Sequence, residues 1–283
     1  MSTLYKFVSG HEAVRNLISG HVKFTPIAEL NDPSELLPDM NPGQVRESLE
    51  RVRSNGYSDI DMIHLRNQGN LMRALAPHHQ VIEVPKTKEE ATRIVRSGFY
   101  DLTDLLEQKL LATAQEMASK VGIFCLSSRF DSLPMWAHDA GNAAGFVVMF
   151  DGLEKVFLGD DTGILAKPEP VTYERELHGV TFDPRSHESI FFSKFQDWGY
   201  EKEIRVVLPL SKCQIHSNGS KPLYLYELPR SCVRQIIIGW HADPKTIRII
   251  ETYVRELGHE VEIVLARIAR GRVELIPQRK IDA

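Results

Sequence analysis

Between about Asn41 and Lys120 the apolar residues recur with a helical period, and past Lys120 the texture turns abruptly to strands. This change of period constrains the fold more than any other feature. Helices gathered in one block and strands in another point to an α+β arrangement with a mixed or antiparallel sheet. The helical stretch comprises "GQVRESLERVRSNG", "DMIHLRNQGNLMRAL", "KEEATRIVRSG" and "YDLTDLLEQKLLATAQEMASK", the last placing Leu102, Leu105, Leu106, Lys109 and Leu110 on one face. It is expected to form a helical insert, residues 41–120, within a single α+β domain spanning residues 1–283.

Ahead of the insert, Leu4–Val8 is a short apolar strand, and His11–Ser19 a helix that Gly20 stops. Val22, Phe24 and Pro26 mark a second strand, and Asn31-Asp32-Pro33 a turn, because the residue before proline is pushed out of the helical region. Beyond Lys120, "VGIFCLSS" and "GFVVMFD" read as strands around a short helix in "SLPMWAHDA". "VTYERELHGVTFD" is expected to be extended, and "SHESIFFSKF" a helix opened by a Ser cap. A hairpin turning at Asn218-Gly219 follows, then the buried strand "CVRQIIIGW". The helix "DPKTIRIIETYVRELG" has Asp243 as cap, Pro244 at its first position and Gly258 past its end, and "EVEIVLARI" and "RVELIP" close the chain as strands.

The 283 residues suffice for a sizeable core, and 42% hydrophobic with 25% charged residues is the balance of an ordinary globular protein. A net charge of -4 offers no general attraction to nucleic acid or anionic lipid, although a local basic groove is compatible with it. The N-terminal "MSTLYKFVSGHEAV" has no basic segment followed by an apolar stretch, and no window reaches the length of a membrane span, so a cytoplasmic protein is expected. Cys125, Cys213 and Cys232 are too few and too widely spaced for a disulfide framework or a CxxC metal site. No dinucleotide-binding glycine fingerprint, phosphate loop, HExxH or GxSxG elbow is present. Any active site must therefore be assembled from scattered residues, and no metal is expected.

The stretch that draws attention is "WGYEKEIRVVLP", residues 198–209. Read as one strand, it sets Glu201, Glu203, Arg205 and Val207 on one face and Lys202, Ile204, Val206 and Leu208 on the core face. The Glu-x-Glu-x-Arg stripe is either a solvated face with cross-strand ion pairs or a carboxylate pair at the rim of a cleft, and period alone favours the solvated face. A third reading makes Arg205 and the glutamates a buried polar network that holds Asn31-Asp32 in place.

The succession "LYKF", "FTPIAELNDPSE", "FCLSSRFDSLPMWAHDAGNAAGFVVMFD", "VTYE" and "FFSKFQDWGYEKEIRVV", ending in "IIIG", resembles a large, mostly uncharacterised bacterial domain family found in mobile-element and phage-defence settings. Its marks are an Asn-Asp-Pro turn, a Met-Trp-x-His segment and a Trp-x-Tyr-Glu-x-Glu-x-Arg strand, and the match runs from residue 4 to about residue 240. Asp139 departs from it, standing where the family carries an aromatic. The same order of segments also resembles the split-sheet core of ADP-ribosyltransferases.

The second resemblance implies NAD as substrate and assigns roles. Tyr5 and Lys6 lie on the strand that holds the NAD ribose, Lys6 standing where His is common. Ser127 and Trp136 lie against nicotinamide, and Glu203 is the catalytic glutamate, with Glu201 beside it to orient an acceptor. Asn31, Asp32, His138 and Arg205 complete the implied cofactor-binding set, Arg205 as a bidentate phosphate ligand or as a partner of Glu203. The chemistry is coherent, since breaking the ribose–nicotinamide bond develops an oxocarbenium-like ribose that a fixed carboxylate stabilises. Each residue also has a plain role: Trp136 as packing, His138 as a partner of a backbone carbonyl, and Asn31-Asp32 as a turn.

The resulting expectation is an NAD-binding or NAD-consuming protein, a toxin or phage-defence effector. The first alternative is a non-catalytic module that recognises a nucleotide or a protein partner, the partner meeting the helical insert. The second is a metal-dependent nuclease gathering Asp32, Glu35, Asp131, Glu201 and Glu203 around a divalent cation.

Overall fold

The computed structural model describes residues 3–10, 13, 16–17, 20–32, 42–75, 84–97, 116, 118–159, 165–177, 191–218 and 221–277. Two strands open the chain, β1 (Leu4–Val8) and β2 (His21–Pro26). Helices α1 (Pro42–Asn55), α2 (Asp59–Leu75) and α3 (Lys88–Arg96) occupy the stretch read as an insert. Residues 76–83 and 98–115 of that stretch lie outside the described residues, as does most of the expected helix at 11–19. The Thr87 side chain caps α3 by accepting from the Glu90 amide, and Leu49, Val52 and Val95 form a small separate core between α1 and α3.

After the insert come β3 (Val121–Ser127), α4 (Leu133–His138), β4 (Phe146–Phe150) and α5 (Leu153–Val156). Four strands follow: β5 (Glu169–Pro170), β6 (Thr172–Glu174), β7 (Ser193–Phe195) and β8 (Glu203–Pro209). The hairpin β9 (Gln214–Asn218) and β10 (Lys221–Glu227) leads to β11 (Val233–Ile238), α6 (Pro244–Glu256), β12 (Glu262–Ala269) and β13 (Arg272–Pro277). The fold is thus mixed α/β, built on a mostly antiparallel open sheet.

The helix expected over "SHESIFFSKF" holds at Phe191 and Phe192 and is corrected at its end, because Ser193–Phe195 is a strand, pairing in parallel with β6 through Ser193–Thr172, Lys194–Tyr173 and Phe195–Glu174. Alternation decides there: Lys194 turns inward while Ser193 and Phe195 remain half-exposed. Residues 186–190 of that stretch lie outside the described residues.

Sheet order creates the feature on which the site depends. β8 pairs along the whole of one edge of β3, from Val121–Pro209 to Ser127–Glu203. β1 and β2 must therefore share the other edge. β1 joins it only at Tyr5–Ser127, and β2 only at Thr25–Ile123 and Pro26–Gly122. Between them, at Phe124, Cys125 and Leu126, the sheet splits. One wing continues from β1 through β4, β11, β12 and β13, and the other from β2 through β10 and β9. The main core lies on one side of this sheet, gathering Phe24, Phe124, Leu126, Phe150, Val206, Ile238 and Ile250. The parallel pair β11–β12 is joined by α6, which Asp243 caps by accepting from the Thr246 amide at 2.6 Å.

Candidate active site

The segment 198–209 is not a single strand. Gln196–Glu201 forms a 3₁₀ turn, Lys202 takes a left-handed conformation with φ of 45°, and β8 begins only at Glu203. Such a backbone is uncommon outside glycine and redirects the chain sharply. Glu201 and Glu203 therefore do not lie along one strand face as the two-residue period implies. The favoured solvated face is also overturned, since Glu203 is 4% and Arg205 1% exposed. β8 runs inside the sheet with β3 on one edge and β5 on the other, and its charged face is covered by the segment 191–194, whose Phe191 carbonyl and Lys194 ammonium bond to Arg205 and Glu203.

Lys194 reconnects the two carboxylates. Its Nζ donates to Glu201 Oε2 at 2.8 Å and to Glu203 Oε2 at 3.1 Å, and it lies over the Trp198 ring at 4.8 Å. Arg205 grips Glu203 in a two-point clamp, Nε to Oε1 at 2.8 Å and Nη2 to Oε2 at 3.0 Å, while its Nη1 donates to the Phe191 carbonyl at 2.9 Å. The Glu203 amide donates to the Tyr173 hydroxyl at 2.8 Å.

This network forms one wall of a cleft of about 250 Å³ at the split of the sheet. β1 contributes Tyr5 and Lys6, the floor is Cys125 and Leu126, and β2 with the turn after it contributes Lys23, Thr25, Glu29 and Asn31. Met135 and Asp139 of the α4 segment complete the rim.

The environment drives the two glutamates apart. Burial alone raises Glu203, but Arg205 and then Lys194 outweigh it and hold the carboxyl well below the usual range, at about 2. Burial dominates at Glu201, Lys194 opposing it, and the carboxyl rises to about 7. Glu203 is thus permanently ionised near neutrality and Glu201 is poised to exchange a proton, the separation expected of a fixed charge beside an acid–base group. Burial also raises Asp139 and pushes the Tyr173 hydroxyl to about 12. Cys125 is pushed up by burial and then by Glu203, so it stays a thiol and is no nucleophile.

Of the residues singled out in the sequence, Tyr5, Lys6, Asn31, Glu201, Glu203 and Arg205 converge on this cleft. Lys6 donates to the Cys125 carbonyl at 2.9 Å, and the Tyr5 ring lies 5.5 Å from Phe130. Four others stand apart from the lining. Ser127 is fully buried, its hydroxyl donating to the Glu201 carbonyl and accepting from the Arg129 amide. Trp136 is fully buried between Phe7 and Trp240, its indole donating to the Phe130 carbonyl at 2.7 Å. His138 is exposed at the end of α4, and Asp32 is buried beside exposed Asn31.

The set proposed for a metal is dispersed. Asp131 is held by Arg129 at 2.6 Å, the two glutamates by Lys194, and Glu35 lies outside the described residues. Among the described residues no group of three or more His, Cys, Asp or Glu is placed to hold a metal ion, and no helix is long and apolar enough to cross a membrane.

Sequence reasoning passed over Lys194 because the helical period assigned to its segment hid it. Its signal was a lysine set into the aromatic run "FFSKF". Asp139 was visible only as a departure from a resemblance, and Lys23, Glu29 and Tyr173 gave no signal. No protein-family model, curated protein or solved structure matches the chain.

Proposed function

We propose that the protein binds NAD or a closely related nucleotide in the split of the sheet and cleaves the bond between ribose and nicotinamide, the Glu201–Glu203 pair carrying the chemistry. One observation supports this reading above the others: two carboxylates of opposite proton affinity, bridged by one lysine, line a polar cleft. As the carbon–nitrogen bond breaks, its electron pair leaves with nicotinamide and a positive charge develops on the ribose. The permanently ionised Glu203 stabilises that charge electrostatically. An incoming hydroxyl, of water or of an acceptor, then bonds to the ribose carbon while its proton passes to the Glu201 carboxylate. Tyr5 and Asn31 line the same space and supply polar contacts to the substrate.

A second reading, recognition without turnover, is favoured by the full engagement of Glu203. Both of its oxygens are bonded to Arg205 or Lys194, which offsets the negative charge a catalytic carboxylate must offer.

Nicotinamide release from NAD, followed by NMR for wild type, Glu201→Gln and Glu203→Gln, separates the two. Circular dichroism should accompany each sample. Release by wild type, reduced by about 10²-fold or more in folded Glu201→Gln, supports catalysis. Shifts in the NAD spectrum without release support recognition, and no release together with an unchanged spectrum overturns both.

A further inference from the structure

The charged groups of the cleft balance only when its acids are ionised. Arg205 is taken up by Glu203, and at the rim Lys23 faces Glu29 at 3.8 Å. Two ammonium groups, Lys6 of β1 and Lys194 of β7, then stand opposite two carboxyls, Asp139 after α4 and Glu201 at the end of the 3₁₀ turn. With both carboxyls ionised this inner group is neutral. With both protonated it carries two positive charges in a recess where water screens them poorly.

We propose that the cleft is a site for a dianion of the diphosphate-diester class and that the ligand binds together with protons taken up by Glu201 and Asp139. The proposal rests on the nucleotide-binding reading above and narrows it to the charge of the ligand; in the catalytic reading Glu201 acts as base only from the ionised minority of the complex, so turnover rises with pH while affinity falls. Glu201 is faced by Lys194, by Glu203 of β8, by Asp139 and by Tyr200 of its own turn. Asp139 is faced by Lys6, His138, Lys194 and Glu203. Tyr173 of β6 closes the far side through the Glu203 amide. Burial works on both acids in the same direction, towards the protonated form, and a dianion placed among them pushes further the same way.

Lys194 is the moving part. It divides its donors between Glu201 and Glu203. Protonation of Glu201 weakens one of those two ion pairs and allows the ammonium to turn towards an incoming phosphate. Lys6 sits at the root of the cleft, where it meets the second phosphate. Thr25 and Asn31 at the mouth add uncharged hydrogen-bonding groups.

The test uses ADP-ribose, a diphosphate diester whose phosphates hold constant charge where a monoester would still lose its second proton near about pH 6. Calorimetry at about pH 6 and about pH 8, in buffers of differing ionisation enthalpy, reads both affinity and protons taken up. Wild type should bind on the order of tenfold more weakly at the higher pH, with net proton uptake at neutrality. Glu201→Gln and Asp139→Asn, each checked for an intact fold, should lose most of that pH dependence and retain tight binding at the higher pH. Equal affinity at both pH values, absence of binding, or an unaltered pH dependence in both variants would overturn the proposal. Tight, proton-linked binding of ADP-ribose with no NAD cleavage would leave this inference standing while the catalytic reading falls. NAD cleavage with no proton linkage would do the reverse.

Discussion

Glu203 is the residue on which most of the buried charge depends. With 4% exposure and bonds to both Arg205 and Lys194, it neutralises two cations that have almost no other access to solvent. Glu203→Gln should therefore cost about 3–5 kcal/mol, the usual penalty for leaving a buried partner uncompensated, and urea unfolding measures it. A change below about 1 kcal/mol would mean that water reaches the pair. The pH dependence of stability carries a second signature. Glu203 is lowered from its ordinary 4.5 to about 2, so its contribution is complete above about 4.5 and disappears as pH falls towards 2. Glu201 is raised from 4.5 to about 7, so the folded chain holds a proton that the unfolded chain has released, and stability falls as pH rises from 4.5 to 7. Melting temperatures between about pH 4.5 and 7 should decline in wild type and flatten in Glu201→Gln. Identical slopes in the two proteins would refute the raised Glu201. The paired glutamates and Arg205 were visible in the sequence as a stripe of charge, but their burial was only one of three readings, because a two-residue period says which face a side chain takes and nothing of what covers that face.

At the scale of elements, the sequence was most legible where local chemistry decides. Asp243, Pro244 and Gly258 bracket α6 as their types require, and the short apolar runs of β3, β4 and β11 mark strands buried on both faces whose partners lie far away in the chain. It was least legible around Glu203, where a left-handed Lys202 divides one apparent strand into a turn and a strand, and at Ser193–Phe195, too short to establish a period. Tertiary contacts also govern Gly239, which local sequence does not explain. A Cβ at that position would lie 2.1 Å from the Ala143 carbonyl oxygen, while the Gly239 amide donates to the Gly145 carbonyl at 2.9 Å. β11 thus ends directly against the loop that leads from α4 into β4. Gly239→Ala should cost about 3 kcal/mol through this forced backbone shift, whereas the same change at Gly258, past the end of α6 with open space around it, should cost about 1 kcal/mol, from its φ of 73° alone. Chemical unfolding of the two variants checks the ranking, and equal losses would show that crowding at Gly239 is relieved without cost.

For the whole molecule, the order of strands could not be read from the sequence, because a strand's own pattern does not name its neighbour. That order makes the cleft. β3 is held along all of one edge by β8 and is shared at the other by β1 and β2, which barely touch it. Protection from hydrogen exchange should follow this distribution, since amides deep in continuous pairing open only with the global transition and those at edges open locally. β8 and the β8-facing amides of β3 should exchange slowest, and β9, whose Gln214, Ile215 and His216 are exposed at the end of one wing, fastest among the strands. A ligand lying in the split touches β1 on one wall and β2 on the other. Saturating ADP-ribose should therefore slow exchange in Leu4–Val8 and His21–Pro26 together, and leave β9 and β13, the far ends of the two wings, unchanged. Mass-spectrometric exchange with and without the ligand measures this directly. Protection confined to one wall, or spread evenly to both outer edges, would place the ligand elsewhere and remove the split of the sheet from any account of function.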